Sequence, residues 1–405
     1  MVEQARALGD GGGLTAEAGR ILVVDDVAMN RDLLARRLQQ QGHTVSLAEN
    51  GRQALEMLRA QEFDLVLLDI MMPEVDGYQV LGEMMGDAAL KHVPVIMISA
   101  VTEMDSVVKC IEIGATDYLP KPFNAVLLKA RVVSTLEKKR LRDRERLYAK
   151  SLERDLEIGR EIQKSFLPEE LPRVPGWEIA ARFRPARQVA GDFYDAFALP
   201  AGGRIGLVVA DVCDKGVGAA LFMALFRTLL RATATGDSDP PGSAAGDADP
   251  AAELLRAVRL TNDYIARTHG RSNMFATLFF AVLEPATGSL LYVNGGHEAP
   301  VVFGPGGVKA RLAPTGPAVG MLPDMAFSVG SARLEPGDGL LAFTDGVTDA
   351  RGASGLYGEE RLLALLRETA APASALLDAI ESAVLAHAAG REQADDITLL
   401  AVRRE

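Results

Sequence analysis

The chain is 405 residues long, about half of it apolar, with a formal net charge of −12. That length supports two or three domains with full cores, and the acidity argues against a nucleic-acid or anionic-membrane partner. Two cysteines, Cys110 and Cys213, are too few to staple a secreted fold, so a reducing, cytoplasmic setting is expected.

Residues 1–19 have neither the basic head nor the apolar run of a signal peptide and read as a disordered, Gly-rich terminus. Apolar runs are too short to span a bilayer; the strongest, LFMALFRTLL, is cut by Arg227.

From residue 20 to 131, short apolar runs alternate with helical patterns. ILVV (Ile21–Val24), TVSLA, DLVLLD (Asp64–Asp69), PVIMIS (Pro94–Ser99) and DYL read as strands. Helical stretches follow each, at Asn30–Gln41, Arg52–Ala60, Tyr78–Met85, Glu103–Ile113 and from Asn124 onward. Five strand–helix units predict a doubly wound five-stranded parallel sheet of the flavodoxin-like kind. Ligands of such sheets sit beyond the carboxyl ends of the strands. Those ends carry Asp25 and Asp26, Asp69, Ser99 and Lys121. One acid there is ordinary helix capping. Three acids with a hydroxyl and an ammonium at successive strand ends point instead to an all-oxygen Mg²⁺ site beside a carboxylate that can take a phosphoryl group.

The stretch from Ser134 to Leu167 is charged at about half its positions and contains no proline. Leu141, Tyr148, Leu152, Leu156, Ile162 and Phe166 fall on one stripe at helical period. Opposite charges three apart (Glu137/Arg140, Asp143/Arg146, Glu157/Arg160, Glu161/Lys164) support an exposed helix. Residues 132–167 therefore read as a long helical connector with a narrow seam that suits pairing with a second copy, as a coiled-coil homodimer. Asp155 and Gly159 interrupt the heptads and loosen the register. A solvated single-helix spacer is the plainer alternative.

Residues 168–405 group strands and helices rather than alternating them, which predicts an α+β domain. Residues 232–250 are small, acidic and Pro-rich and read as a mobile surface insertion. The chemistry again lies in acids at strand ends: Asp192, Asp211, Asp345 and the pair Asp395–Asp396. No His/Cys cluster has zinc spacing, and carboxylates alone suit hard cations; several of them suit two Mn²⁺ or Mg²⁺ ions. Such a pair can activate a water for in-line attack on phosphorus. Singly, FTDG and AGD are common turn chemistry.

Two resemblances follow from these motifs. VVDD, LLDIMMPEVDG, ISA and DYLPKPF resemble the receiver domain of bacterial response regulators. The resemblance implies that Asp69 takes a phosphoryl group from a sensor histidine kinase, with Mg²⁺ held by Asp25, Asp26, Asp69 and the Met71 carbonyl. Ser99 and Lys121 would contact the phosphoryl oxygens, Tyr118 would be the switch aromatic, and the Lys121–Pro122 bond would be cis.

GREIQKSFLP, AGDFYDAF, VVADVCDKGVGAALFMAL, NGGHEAP, FTDGVTDA and DDITLL resemble, in this order, the metal-dependent PPM-type serine/threonine phosphatases of the stage II sporulation protein E branch. That resemblance implies a β-sandwich flanked by helices. Asp192, Asp211, Asp345 and Asp395 would be metal ligands, with the Val212 carbonyl joining them and Asp396 a further candidate. Arg187 would bind phosphate. Where some members carry a histidine, two residues after the counterpart of Asp211, this chain has Cys213, so the proton donor to the leaving group stays open. His297 is a candidate donor, although a structural histidine in a turn explains it as well.

The expectation is a response regulator whose output hydrolyses phosphoserine or phosphothreonine on a regulatory protein. The resemblance suggests an anti-sigma-factor antagonist as substrate. A catalytically inactive scaffold that recruits partners under receiver control is the alternative.

Overall fold

The computed structural model describes residues 18–100, 104–200, 202–236, 249–367 and 371–405. Most of the expected disordered terminus (1–19) and of the expected insertion (232–250) lies outside the described residues. The chain divides into two compact units, Met1–Ser151 and Leu152–Glu405.

In the first unit, β1 (Arg20–Val24), α1 (Ala28–Gln40), β2 (Thr44–Ala48), α2 (Gly51–Ala60) and β3 (Leu65–Asp69) lead to α3 (Gly77–Gly86) and β4 (Val95–Ala100). Helix α4 (Met104–Ile113), β5 (Asp117–Lys121) and α5 (Ala125–Phe166) follow. The five strands pair in parallel in the order β2-β1-β3-β4-β5. Helices cover both faces, so Ile21–Val24 and Leu65–Leu68 are fully buried and read as unbroken apolar runs rather than alternating ones. The order reverses between β1 and β3, and the crevice at that reversal is where ligands of doubly wound sheets bind. Caps fix the helix starts: Asn50 accepts the Gln53 amide at 2.9 Å, and Asp76 and Gln79 form a reciprocal capping box. The Lys121–Pro122 bond is cis.

Helix α5 is one element, longer than the connector read from sequence, because nothing between Asn124 and Phe166 breaks it. Leu128, Val132 and Leu136 on its first turns are buried with Ile21, Val23 and Leu38 of the sheet core. Farther along, Leu141 (59 % exposed), Tyr148 (74 %), Leu152 (51 %) and Ile162 (55 %) are bare. Of the anticipated charge pairs, Glu161–Lys164 closes at 2.9 Å, whereas Asp143 pairs back to Lys139 at 2.5 Å. At the far end, Leu167 is buried and Phe166 packs against the core of the second unit.

The second unit begins with β6 (Trp177–Arg184), β7 (Phe193–Ala198), β8 (Ile205–Val212), α6 (Val217–Thr235) and α7 (Pro250–His269). There follow β9 (Ala276–Glu284), β10 (Ser289–Gly295), β11 (Val301–Gly304), β12 (Gly307–Arg311), β13 (Gly330–Arg333) and β14 (Gly339–Phe343). The chain ends with α8 (Asp345–Thr348), the small ribbon β15 (Arg351–Gly352) and β16 (Gly355–Leu356), α9 (Glu359–Leu366), α10 (Ala373–Ala388) and β17 (Ile397–Arg404). Two five-stranded antiparallel sheets result, ordered β13-β10-β9-β8-β7 and β12-β11-β14-β17-β6.

Strand periodicity builds the layers. Along β8, Leu207 and Val209 face the second sheet while Val208, Ala210 and Val212 face the helices. Along β9, Phe279, Ala281 and Leu283 point inward and Leu278, Phe280 and Val282 outward. The outward set meets Met223 and Phe226 of α6 and Leu254 and Val258 of α7. On the opposite side, Leu341, Phe343 and Leu399 meet Leu362, Leu366, Leu377 and Ile380 of α9 and α10. The unit is thus a β-sandwich between two helix layers. Helix α6 is long and apolar enough to cross a membrane by composition, contrary to the sequence reading; its Ala219, Met223, Phe226 and Leu230 are buried against the sheet.

Candidate functional site

Each unit gathers acids at one end of a sheet. In the first, Asp25, Asp26 and Asp69 bring carboxylate oxygens within 4.8 Å of one another, the one such trio among the described residues. Asp25 and Asp69 are buried, and Asp26 is exposed. Lys121 Nζ lies 2.7 Å from Asp69 Oδ2 and 2.9 Å from Asp25 Oδ2. Burial raises the Asp69 carboxyl above its usual range; Lys121 opposes that rise, and Asp25 and Asp26 add to it. For Lys121, burial works to lower the value, but hydrogen bonds to Asp69 and Asp25 outweigh it and raise it. Asp25 also holds its own turn, accepting from the Val27 amide at 2.9 Å and the Asn30 side chain at 3.1 Å. Ser99 is buried at the end of β4. Met71 follows the end of β3 with its side chain in solvent. Tyr118 is about one-third exposed, with the Arg131 guanidinium 5.8 Å from its ring centre. Three acids against one ammonium leave excess negative charge, and an oxygen-only donor set of that kind fits Mg²⁺.

In the second unit, the acids sit where β7, β8, β14 and β17 begin or end. Asp192 immediately precedes β7 and is almost fully buried. Its Oδ2 accepts from the Thr344 and Thr398 hydroxyls, each at 2.7 Å. Thr344 precedes α8 and Thr398 lies on β17, so three segments far apart in sequence are pinned to one carboxylate. Burial pushes the Asp192 carboxyl well above its usual value, the charges of Asp211 and Asp396 add to this, and the two threonines oppose it. Asp211, near the end of β8, is raised to about 7 by burial; a hydrogen bond to Asp192 opposes the rise, and Asp345, Asp395 and Asp396 add to it. Asp345 opens α8 and is likewise raised, by burial and then by the charges of Asp395 and Asp349.

Asp395 precedes β17 and meets Lys215 Nζ at 2.7 Å. Asp396 has a different task. Its Oδ1 accepts from the Ala186 amide at 2.7 Å and its Oδ2 from the Gly191 amide at 3.0 Å. It therefore ties the start of β17 to the loop that carries Arg187 and leads into Asp192. Gln163 of α5 grips the same loop: its Nε2 donates to the Ala190 carbonyl at 2.6 Å and its Oε1 accepts the Ala190 amide at 2.9 Å.

Close backbone approaches hold the acids together. A Cβ on Gly191 would stand 2.8 Å from the Val212 carbonyl oxygen. A Cβ on Gly346 would collide with the Asp396 carbonyl, so only glycine lets α8 reach β17. No three of the second unit's described acids bring oxygens within 4.8 Å. They are spread more widely than a single-ion cage, yet the charges of Asp345, Asp395 and Asp396 raise the Asp211 carboxyl, and Asp395 raises that of Asp345. That mutual repulsion, with carboxylates the only side-chain donors, fits hard divalent cations.

Arg187 is exposed, and among the described residues no ion pair or hydrogen bond fixes it. Cys213 Sγ accepts the Phe275 amide at 3.2 Å and contacts the Asn273 carbonyl at 3.4 Å, and burial raises its thiol pKa, leaving it neutral. His297 is buried, shares a 2.9 Å hydrogen bond with the Thr277 hydroxyl, and is pushed by burial down to about 4. It is neutral at pH 7, and its backbone amide donates to Asn294 Oδ1 at 2.8 Å. Sequence reasoning missed Thr344, Thr398, Gln163 and Lys215. The two threonines each adjoin an acid motif (FTDG, DDIT), the one local signal that marks them.

Comparison with known proteins agrees with this architecture. The family model for stage II sporulation protein E matches residues 201–405, just over half of the chain, and the response regulator receiver model matches residues 21–133. Asp211, Asp345, Asp395 and Asp396 lie inside the first match; Asp192 and Arg187 precede it. The protein IcfG of Synechocystis is 45 % identical over 264 residues, covering 62 % of this chain and 41 % of IcfG. The response regulator PleD of Caulobacter vibrioides is 40 % identical over 117 residues, covering 29 % of this chain and 26 % of PleD. The chain therefore spans less than half the length of these relatives. Among solved structures, the SiaA-PP2C domain of Pseudomonas aeruginosa shares the fold of the second unit, with a TM-score of 0.52 at 22 % identity, covering 64 % of this chain and 99 % of that one. The chain belongs to the stage II sporulation protein E family of PPM-type phosphatase domains, joined here to an amino-terminal response regulator receiver domain.

Proposed function

We propose that the chain is a response regulator whose output is a metal-dependent protein serine/threonine phosphatase, acting on a phosphorylated regulatory protein. The observation that carries this reading is the placement of Asp192, Asp211, Asp345 and Asp395 at one end of the sandwich, with the carboxyls of Asp192, Asp211 and Asp345 raised first by burial and then by the charges of neighbouring acids. These four carboxylates and the Val212 carbonyl would hold two Mn²⁺ or Mg²⁺ ions, which would supply a water of lowered pKa and a Lewis acid for the phosphoryl oxygens. The protein's own residues do the positioning. Thr344 and Thr398 fix one oxygen of Asp192, so that the other would be the one to ligate. Asp396 and Gln163 hold the loop that presents Arg187, whose guanidinium can reach a phosphoryl oxygen as a planar donor. Neither Cys213 nor His297 is arranged as a proton donor, so protonation of the leaving alkoxide falls to solvent or to the substrate protein.

In the receiver, Asp69 would attack the phosphorus of a phosphohistidine on a sensor kinase. The new O–P bond forms as the N–P bond breaks and imidazole leaves. Asp25, Asp26, Asp69 and the Met71 carbonyl would hold Mg²⁺, and Lys121 and Ser99 would meet the transferred oxygens. Tyr118 would read out the change as a switch aromatic. The bare stripe on α5 suits a parallel homodimer, and because α5 is continuous from Ala125 to Phe166, the pairing is where receiver state would reach the phosphatase. An anti-sigma-factor antagonist is the substrate the family suggests, and the cytoplasm the compartment.

The test is Mn²⁺-dependent hydrolysis of a chromogenic phosphoester by the full chain and by Asp211→Asn. The reading predicts turnover that the substitution abolishes while Asp69 still accepts phosphate. No turnover in excess metal, with or without a phosphoryl mimic on Asp69, would favour an inactive scaffold. Light scattering that finds a monomer in both phosphorylation states would remove the dimer.

A further inference from the structure

The turn that joins β8 to α6 carries Lys215, four residues beyond Asp211. Its ammonium lies 2.7 Å from Asp395 Oδ2 and 2.8 Å from the Ala394 carbonyl, and its charge lowers the carboxyl pKa of Asp345 against the stronger pull of burial. Among the described residues it is the cation that forms an ion pair with this group of acids. The turn is shaped to deliver it. Asp214 and Gly216 flank Lys215 with positive φ angles of 78° and 85°, and Asp214 Oδ1 accepts the Lys215 amide at 2.8 Å. Aspartate and glycine are residues that take up such angles readily, so the sequence suits the turn.

We infer that Lys215 is a resident counter-ion that occupies the seat of a divalent cation at Asp395 and must be displaced when that cation binds. This rests on the metal-site reading above. The ammonium sits on a carboxylate oxygen that a metal ion would ligate, and two positive charges crowded at one oxygen repel each other. Lys215 therefore competes with the metal: its charge offsets part of the repulsion among the acids when no cation is bound, and it sets how tightly the cation is held. Once displaced, the side chain is free to face solvent or substrate. The pair is partly exposed, with 41 % of the Lys215 side chain open to solvent. The competition is accordingly modest, and removing it should tighten the cation by about two- to fivefold.

The experiment is calorimetric titration of Mn²⁺ into the full chain, with Asp25→Asn and Asp26→Asn in every arm to silence the receiver. Lys215→Met, which keeps the aliphatic stem, is expected to bind Mn²⁺ about two- to fivefold more tightly, and Lys215→Arg, which keeps the charge, within about twofold of the parent. On the unsubstituted chain, an amine-directed ester should label Lys215 faster once Mn²⁺ is bound, a readout that needs no variant to fold. Equal or weaker binding by Lys215→Met, or labelling indifferent to Mn²⁺, overturns the inference and leaves the metal site standing. Failure of the parent to bind Mn²⁺ at all overturns the metal site and the inference together.

Discussion

Thr398→Val is the most informative perturbation of the second unit. Valine keeps the shape and the β-branching of threonine and should preserve β17. What it removes is one hydroxyl, fully buried, that donates to Asp192 Oδ2 at 2.7 Å. A hydrogen bond to a charged group contributes about 1.5–3 kcal/mol. The donor favours the ionised carboxylate, the form a metal needs, over the protonated form that burial already favours. Its loss should therefore weaken divalent-cation affinity by about 10- to 150-fold. The range agrees with the 10- to 100-fold typical of residues that orient a metal ligand without touching the metal. Calorimetric Mn²⁺ titration at pH 7.5 measures it, with Thr398→Ser as the control that restores the hydroxyl. Affinity within twofold of the parent in Thr398→Val would refute the claim that this hydroxyl prepares Asp192 for metal.

Other consequences can be measured. Asp211 is raised to about 7 in the folded chain, against roughly 3.9 when unfolded. A carboxyl raised in this way adds stability that is fully present below the unfolded value and lost as pH climbs through the folded one. The cation-free second unit should thus weaken between about pH 4 and pH 7, and Mn²⁺ should flatten that profile. Mn²⁺ uptake should also release more protons at pH 6 than at pH 8, as read from calorimetry in buffers of different ionisation enthalpy. Gly346→Ala should cost about 2 kcal/mol or more and lower the melting temperature, because the added methyl meets the Asp396 carbonyl; Gly218→Ala, whose Cβ meets nothing within 4 Å, should be neutral or stabilising. Gln163→Ala frees the loop before Asp192 from α5, and should blunt any response to receiver phosphorylation more than it lowers melting temperature. Asp69→Asn should abolish phosphoryl uptake from a small-molecule donor, as seen by mass spectrometry.

The receiver sheet was legible because its central strands β1, β3 and β4 are apolar runs and Asp25, Asp69, Ser99 and Lys121 sit at or next to strand ends, where pattern alone places them. The sandwich was legible in its buried strands, β8, β9, β14 and β17, and less so at its edges. Strands β12 and β13 are short, exposed and rich in Gly, Arg and Lys, so they carry no apolar period, and their pairing comes from neighbours in the sheet. Helix α8 is a single turn that reads as the turn after FTDG. In the site, the acids announced themselves by position; their supports did not. Thr344 and Thr398 reach Asp192 across 152 and 206 residues of sequence, and Gln163 reaches Ala190 from another element. Contacts of that range are set by packing, which no local spacing encodes. Asp396, a candidate ligand from sequence, also accepts a backbone amide of the loop before β7 on each oxygen, a role no local spacing announced.

The account's central claim is that an acyl phosphate on Asp69 governs phosphoester hydrolysis at the aspartates of the second unit. Its most direct test is the rate at which the Mn²⁺-loaded full chain dephosphorylates a phosphoserine protein, before and after Asp69 is phosphorylated by a small donor. The account predicts a change of about fivefold or more, absent in Asp69→Asn; identical rates in both states would contradict it.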